Sequence, residues 1–305
     1  MPLFDSNASR AASPAPPVTE RQSLRRLEIV TRRLVHDVMA GRYHSVFRGR
    51  GMEFDEVREY QPGDDVRSID WNVTARTGTP HIKRYIEERE LTVLFCVDLS
   101  ASTDFGSVRR LKRTLATEVC ALLAFSAIQN NDRVGLMLFS EEVEKFIPPK
   151  KGRNHVLRVV RELLHEAHGR RTGIPAALER LNQVVRRRAV VFLISDFDSP
   201  EDLRRSLSIA NHHHDLVALT ITDPREMELP AVGLVEFEDA ETGERRWIDT
   251  SARRVREQFR AEAARRVDAR ARLFNSLDID HVDLWTDRDF VPPLVEFFRK
   301  RAGRQ

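Results

Sequence analysis

The chain of 305 residues has only two cysteines, Cys96 and Cys120. Both sit in apolar segments, so no disulfide framework is expected. Reduced core thiols and a cytoplasmic location fit better. No run approaches the roughly 18–20 apolar residues that a membrane-crossing helix needs, so no membrane span is expected. The first residues lack the charged-then-apolar pattern of an export signal, so any membrane association is expected to come through partners. A strong excess of one charge is missing too. Fifty Lys and Arg face 47 Asp and Glu, leaving a net charge of +3. The two signs are interleaved along most of the chain, as on solvated faces. No aromatic residues alternate with basic ones as a stacking platform, and no nucleic-acid partner is expected. The chain also lacks a Gly-x-x-x-x-Gly-Lys-Ser/Thr loop and is therefore not itself a P-loop ATPase.

What remains is a chain that is 41% hydrophobic and 32% charged, enough for a large core under a soluble surface. Residues 1–20, rich in Ser, Ala and Pro, read as a disordered tail. Residues 21–90 read as a helix (24–39, with Leu27, Val30, Leu34 and Val38 on one stripe) followed by a small β-rich subdomain. The turn signals there are Gln61-Pro62-Gly63-Asp64 and Thr77-Gly78-Thr79-Pro80. From residue 91 to 305 the pattern is α/β. Buried strands over 91–98, 133–139, 190–194, 216–222 and 281–285 alternate with helices over 108–129, 154–166, 175–186, 201–212, 252–277 and 291–301. Hairpins are expected around Ser140-Glu141-Glu142 and over 233–249. This alternation implies a Rossmann-like, mostly parallel sheet flanked by helices.

The chemistry concentrates where strands end. Asp98-Leu99-Ser100-Ala101-Ser102 follows the apolar run 91–97, so a carboxylate and two hydroxyls emerge together at the edge where open α/β sheets bind ligands. Thr172 stands at the entrance of a helix whose first turn holds Pro175. Asp196 closes the second strongly apolar strand. Asp98, Ser100, Ser102, Thr172 and Asp196 are the candidate metal ligands. Three neutral hydroxyls and two carboxylates suit a hard cation, Mg2+ before Mn2+ or Ca2+, with Asp196 acting through water. Such an ion keeps an open position for an anionic oxygen, such as a partner's Glu or Asp. The same Ser and Thr residues, taken singly, serve equally as helix caps and turn formers.

This constellation resembles the metal-ion-dependent adhesion site of von Willebrand factor A-like domains. Asp98, Ser100 and Ser102 match its first motif, Thr172 its second and Asp196 its third. Gly173 departs from the Asp common after that Thr. More widely, residues 24–301 resemble a bacterial family catalogued as domain of unknown function 58. The resemblance is carried by residues 48–72, which read RGRGMEFDEVREYQPGDDVRSIDWN, and continues through Lys83-Arg84 and Glu87-Glu88-Arg89-Glu90. It implies a von Willebrand A-type domain, a non-enzymatic protein-interaction role, and partnership with a MoxR-type AAA+ ATPase in chaperone-like assembly or maturation.

Other features have plainer readings. Glu53, Asp55, Glu56, Glu59, Asp64, Asp65 and Asp70 lie among arginines and read as a salt-bridged turn region rather than a second metal site. His212, His213 and His214 are adjacent, diverge in a helix end, and suit a helix C-terminus better than a zinc site. The arginine-rich segment 253–272 reads as a solvated helix face threaded by Glu257, Glu262 and Asp268. The alternative function is a metal-dependent phosphohydrolase using Asp98. Such enzymes place a general acid two residues on, where this chain has Ser100, and no lysine is evident beside Asp196.

Overall fold

In the computed structural model, residues 51–88, 90–164, 169–199 and 201–304 are described. The expected tail and the helix over 24–39 lie outside them. Strand β1 (Gly51–Glu59) pairs antiparallel with β2 (His81–Glu88). The segment between them is not extended throughout. Helix α1 (Trp71–Thr77) occupies it, because Asp70 accepts hydrogen bonds from the Asn72 and Val73 amides and Gly78 closes the other end at φ 79°. That is an N-cap and a left-handed C-cap, and together they override the turn-rich composition. Asp64 pairs with Arg58 at 2.7 Å and Asp70 with Lys83 at 3.2 Å. These acids are therefore tied up in local ion pairs and caps.

The main sheet runs β10 (Asp280–Trp285), β7 (Asp215–Thr222), β6 (Val190–Ser195), β3 (Thr92–Asp98), β4 (Arg133–Phe139), β5 (Val143–Lys150). All neighbours are parallel except β4 and β5, the expected hairpin. The inner strands are near-continuous apolar runs because helices cover both faces. Alternate residues go to opposite sides: Val93, Phe95 and Val97 join one core, Leu94 and Cys96 the other. The Phe95 and Phe192 rings stack across β3 and β6 with centroids 5.6 Å apart.

Helix α2 (Lys112–Gln129) fills the first core. It is buried nearly all round, from Leu115 and Val119 to Phe125 and Ser126. It begins four residues later than its periodicity suggests. The loop before it doubles back, so that the Lys112 amide reaches Phe105 O at 2.9 Å. A Cβ at Gly106 would stand 2.4 Å from Arg110 O. Leu111, just before the helix, is left exposed at 38%. Helix α3 (Arg153–Glu162) packs beside α2, while α4 (Ile174–Val184) and α5 (Arg204–His213) line the second core. Past β7 come a short turn of helix, α6 (Pro224–Met227), and the expected hairpin of β8 (Leu234–Glu238) and β9 (Arg245–Asp249). The long α7 (Arg253–Ser276) precedes β10, and α8 (Val291–Ala302) follows it.

One point in this topology matters for function. After β3 the chain moves outward to β4 and β5, then returns to β6 on the other side of β3. The helix following β3 lies on one face and the helix following β6 on the other. The carboxyl ends of β3 and β6 therefore form the switch point of the sheet, the place where open α/β sheets bind ligands.

The histidine triplet is divided. His212 and His213 lie in the last turn of α5, as expected. His214 is 1% exposed, and neither of its ring nitrogens has a partner. Burial foremost, then the charges of His213 and Arg188, lowers its pKa to about 4. It is a neutral core residue, not a positive cap. Cys96 and Cys120 are both buried and free, and burial raises both thiols.

Candidate functional site

All five sequence-selected residues lie at the carboxyl edge of the sheet, and all but Ser102 are buried. The backbone after β3 is held by Leu99 N donating to Phe139 O at 2.7 Å and Ala101 N donating to Arg170 O at 3.0 Å. These bonds tie the Asp-x-Ser-x-Ser loop to the end of β4 and to the Thr172 segment. Gly173 N donates to Ser140 O at 2.7 Å. A Cβ on Gly173 would come 2.4 Å from Glu141 O, so close approach to the β4–β5 turn excludes the side chain that the adhesion-site pattern often carries there.

Three hydroxyls meet at the centre. Ser100 Oγ is 3.0 Å from Ser102 Oγ and 2.9 Å from Thr172 Oγ1. Ser100 is fully buried and Thr172 nearly so, whereas Ser102 is half-buried. Asp98 accepts from Ser100 N at 2.8 Å through Oδ1 and from Ser195 Oγ at 2.7 Å through Oδ2. Burial, then the nearby Asp196 carboxylate, pushes its pKa up to about 7 against those hydrogen bonds.

Asp196 is equally buried but differently served. Its Oδ2 accepts from Lys112 Nζ at 2.9 Å and its Oδ1 from Asp198 N at 3.1 Å. Burial alone would raise its pKa, but the Lys112 ammonium, the Ser102 hydroxyl and the Asp198 amide outweigh it and hold the carboxyl low. Lys112 is 1% exposed and also pairs with Glu226. From the far side, Arg270 Nη1 donates to Asp196 O at 2.8 Å. The expectation that no lysine stands beside Asp196 is therefore wrong. A lysine in the first turn of a helix normally faces water; here the folded-back loop turns it into the sheet edge.

The sequence reading also missed Ser195 and Glu241. Ser195 sits directly before Asp196, and a strand-end Ser-Asp pair was a usable signal. Nothing local marks Glu241, which reaches Thr172 from the turn between β8 and β9. Its Oε1 accepts from Thr172 Oγ1 at 2.8 Å. Burial foremost, with Asp196, Asp239 and Asp198 adding repulsion, raises its pKa.

The donor set can be tested against a cation. Among the described residues no three His, Cys, Asp or Glu side chains are grouped to hold a metal. Any ion here must therefore rely on the hydroxyls. Octahedral Mg2+ with oxygens at 2.0–2.1 Å sets adjacent ligand atoms about 2.9–3.0 Å apart. The hydroxyl pairs, hydrogen-bonded at 2.9 and 3.0 Å, would need no rearrangement to take adjacent positions on such an ion. Asp98 adds a carboxylate with no ammonium or guanidinium hydrogen-bonded to it among the described residues. The residues fit such an ion.

The molecule is thus an α/β domain with a cluster of carboxylates and hydroxyls at the carboxyl edge of its mostly parallel sheet. It belongs to the family described as protein of unknown function DUF58, which its residues 56–269 match. The uncharacterized protein Rv1480 of Mycobacterium tuberculosis is 36% identical over 292 residues, spanning 93% of this chain and 92% of that protein. Mb1516 of Mycobacterium bovis matches to the same extent. Among solved structures, an aerotolerance-related membrane protein from Bacteroides fragilis is similar with a TM-score of 0.48 at 14% identity, over 70% of this chain and all of that one. The SpRpn10 VWA domain gives 0.35 at 12% identity, over 68% of this chain and 94% of that one. These likenesses are partial and concern overall shape. Among the described residues no helix is long and apolar enough to cross a membrane.

Proposed function

We propose that this protein is a metal-dependent protein-interaction module. Asp98, Ser100, Ser102 and Thr172 hold a divalent cation, with Asp196 contributing through water. A cation bound there supplies an electrophilic position for one carboxylate oxygen of a partner. The observation that carries this reading is the buried Asp98 beside three converging hydroxyls. That group is short of positive charge and sits at the sheet's switch point. Ser100 N and Ser195 Oγ orient the Asp98 carboxylate, and the Lys112–Asp196 pair fixes the opposite wall. The family resemblance adds the partner class: a MoxR-type AAA+ ATPase, with the pair acting in assembly or maturation of other proteins. The test is capture of such an ATPase from the native cell by wild type and by Asp98→Ala, in Mg2+ and in chelator. Loss of capture in chelator and in the variant is expected. Equal capture in all four samples would sink the reading.

Lys112 supports a second reading. A lysine beside Asp196 is a part that phosphoryl-transfer sites built on a strand-end Asp use, and the sequence alone did not supply it. Against it, Ser100 stands where a general acid is needed, and Lys112 is spent on two carboxylates. Hydrolysis of p-nitrophenyl phosphate that vanishes in Asp98→Asn would put catalysis first.

A further inference from the structure

The β8–β9 hairpin is a two-stranded ribbon outside the main sheet. Its base is clamped: Thr250 N donates to Gly233 O at 2.7 Å, Val232 N donates to Thr250 Oγ1 at 3.1 Å, and Arg256 Nη1 donates to Thr250 O at 2.6 Å. Its tip is a tight turn built on Asp239. The Asp239 Oδ1 atom accepts from both Glu241 N and Thr242 N at 2.9 Å, and Gly243 N donates to Asp239 O at 2.7 Å. This turn fixes where Glu241 projects. Its carboxylate ends on Thr172 Oγ1 at 2.8 Å. That hydroxyl is itself 2.9 Å from Ser100 Oγ. A carboxylate from a separate part of the chain therefore stands at the rim of the hydroxyl cluster, one ligand spacing from a proposed metal ligand.

Resting on the metal-site reading above, we infer that Glu241 is the chain's own occupant of the open coordination position, so that the hairpin caps the site and a partner's carboxylate must displace it. Three features support this. The spacing from Glu241 Oε1 to Thr172 Oγ1 is that of adjacent ligands on one small cation. The Glu241 carboxylate is repelled by Asp196, Asp239 and Asp198, and a cation at the hydroxyl cluster would relieve that repulsion. An isolated two-stranded ribbon is marginally stable, so its tip can lift while its base stays clamped. The hairpin also exposes Leu234 and Trp247, at 63% and 64%, on the element a partner would have to move.

The experiment uses the full chain and Mn2+ as the probe. Mn2+ affinity is measured by titration, and the number of exchangeable waters on bound Mn2+ by water-proton relaxation, for wild type, Glu241→Gln, Glu241→Ala and Asp98→Asn. Circular dichroism confirms that each variant is folded. Both Glu241 variants are expected to bind Mn2+ about tenfold more weakly and to gain one exchangeable water. Acetate should then remove that water in the Glu241 variants at concentrations that leave wild type unchanged. Asp98→Asn should lose Mn2+ binding. Unchanged affinity and water count in the Glu241 variants, with binding lost in Asp98→Asn, would overturn the capping role and leave the metal site standing. Wild-type Mn2+ binding that is absent, or that survives Asp98→Asn, would overturn the metal site and the cap together.

Discussion

The ends of β3 and β6 carry two carboxylates on adjacent strands, both almost fully buried, in opposite electrostatic states. Asp196 has a buried ammonium at 2.9 Å and is held ionised. Among the described residues Asp98 has only neutral donors, and its pKa rises to about 7. The difference teaches where charge is missing. Burying an ion without a counter-charge is costly, so a protein that keeps both groups has met the requirement once internally and left it open once. A divalent cation supplied from outside would meet the second.

Lys112 carries the largest expected effect. Lys112→Met removes the ammonium from Asp196 and Glu226 and should cost about 3–5 kcal/mol in chemical denaturation, since it strands buried charge. The variant would leave Asp196 with Arg270 as its nearby positive charge. A loss below about 1 kcal/mol would mean that Asp196 does not depend on it.

Next comes Asp98 itself. Asp98→Ala should weaken Mn2+ binding at least about a hundredfold, or about 2.7 kcal/mol, read by calorimetry. Asp196→Asn should cost less, because its role is through water.

The pH dependence sharpens the same contrast. In chelator, the folded state binds the Asp98 proton more tightly than the unfolded chain does. Stability should therefore fall as pH rises from near 4 to about 7 and then level off. Asp132, also raised to about 7 by burial, contributes a parallel decline, so the difference between wild type and Asp98→Asn isolates Asp98. Asp196 has the reverse sign: its stabilisation is present above its ordinary value and is lost as pH falls through its lowered one. Urea titrations across pH 4–8 check both. A difference curve that is flat would contradict the electrostatic asymmetry.

The smallest effect is expected at Ser195, whose hydroxyl donates to Asp98 Oδ2 and accepts from Phe197 N at 2.9 Å. Ser195→Ala removes both bonds and should destabilise by about 1–3 kcal/mol in denaturant. It should also move the decline in stability to higher pH, since a donor that favours ionised Asp98 is gone.

The α/β organisation could be read from residues 91 to 301 because both periods were strong. The strand Val190–Ser195 is apolar up to its last residue, and α8 has Pro292 in its first turn and one apolar stripe. Helix ends were less legible where a loop intervened: the start of α2 depends on the doubling back at Gly106, a contact between loop atoms. Helix α1 was missed because its cap, Asp70, was read as one more acid in a cluster. His214 was read with its two neighbours, and only its position at the end of α5 separates a buried ring from exposed ones. At the site, Asp98, Ser100, Ser102, Thr172 and Asp196 could be picked out because each follows a strand or opens a helix. Lys112 and Glu241 could not, because each is brought in by a turn whose geometry leaves no periodic trace.

By itself the sequence determined that apolar strands would be covered on both faces, and that carboxylates and hydroxyls would stand at their carboxyl ends. Periodicity and composition act over a few residues, and those features are local. Tertiary structure alone decided which strands are neighbours, which acid receives the ammonium and which does not, and that a hairpin some 70 residues from Thr172 lays a glutamate on the cluster. Those outcomes depend on Coulomb interactions and burial among groups distant in the chain. Their energies are set by separations and surroundings that exist only once the sheet has formed.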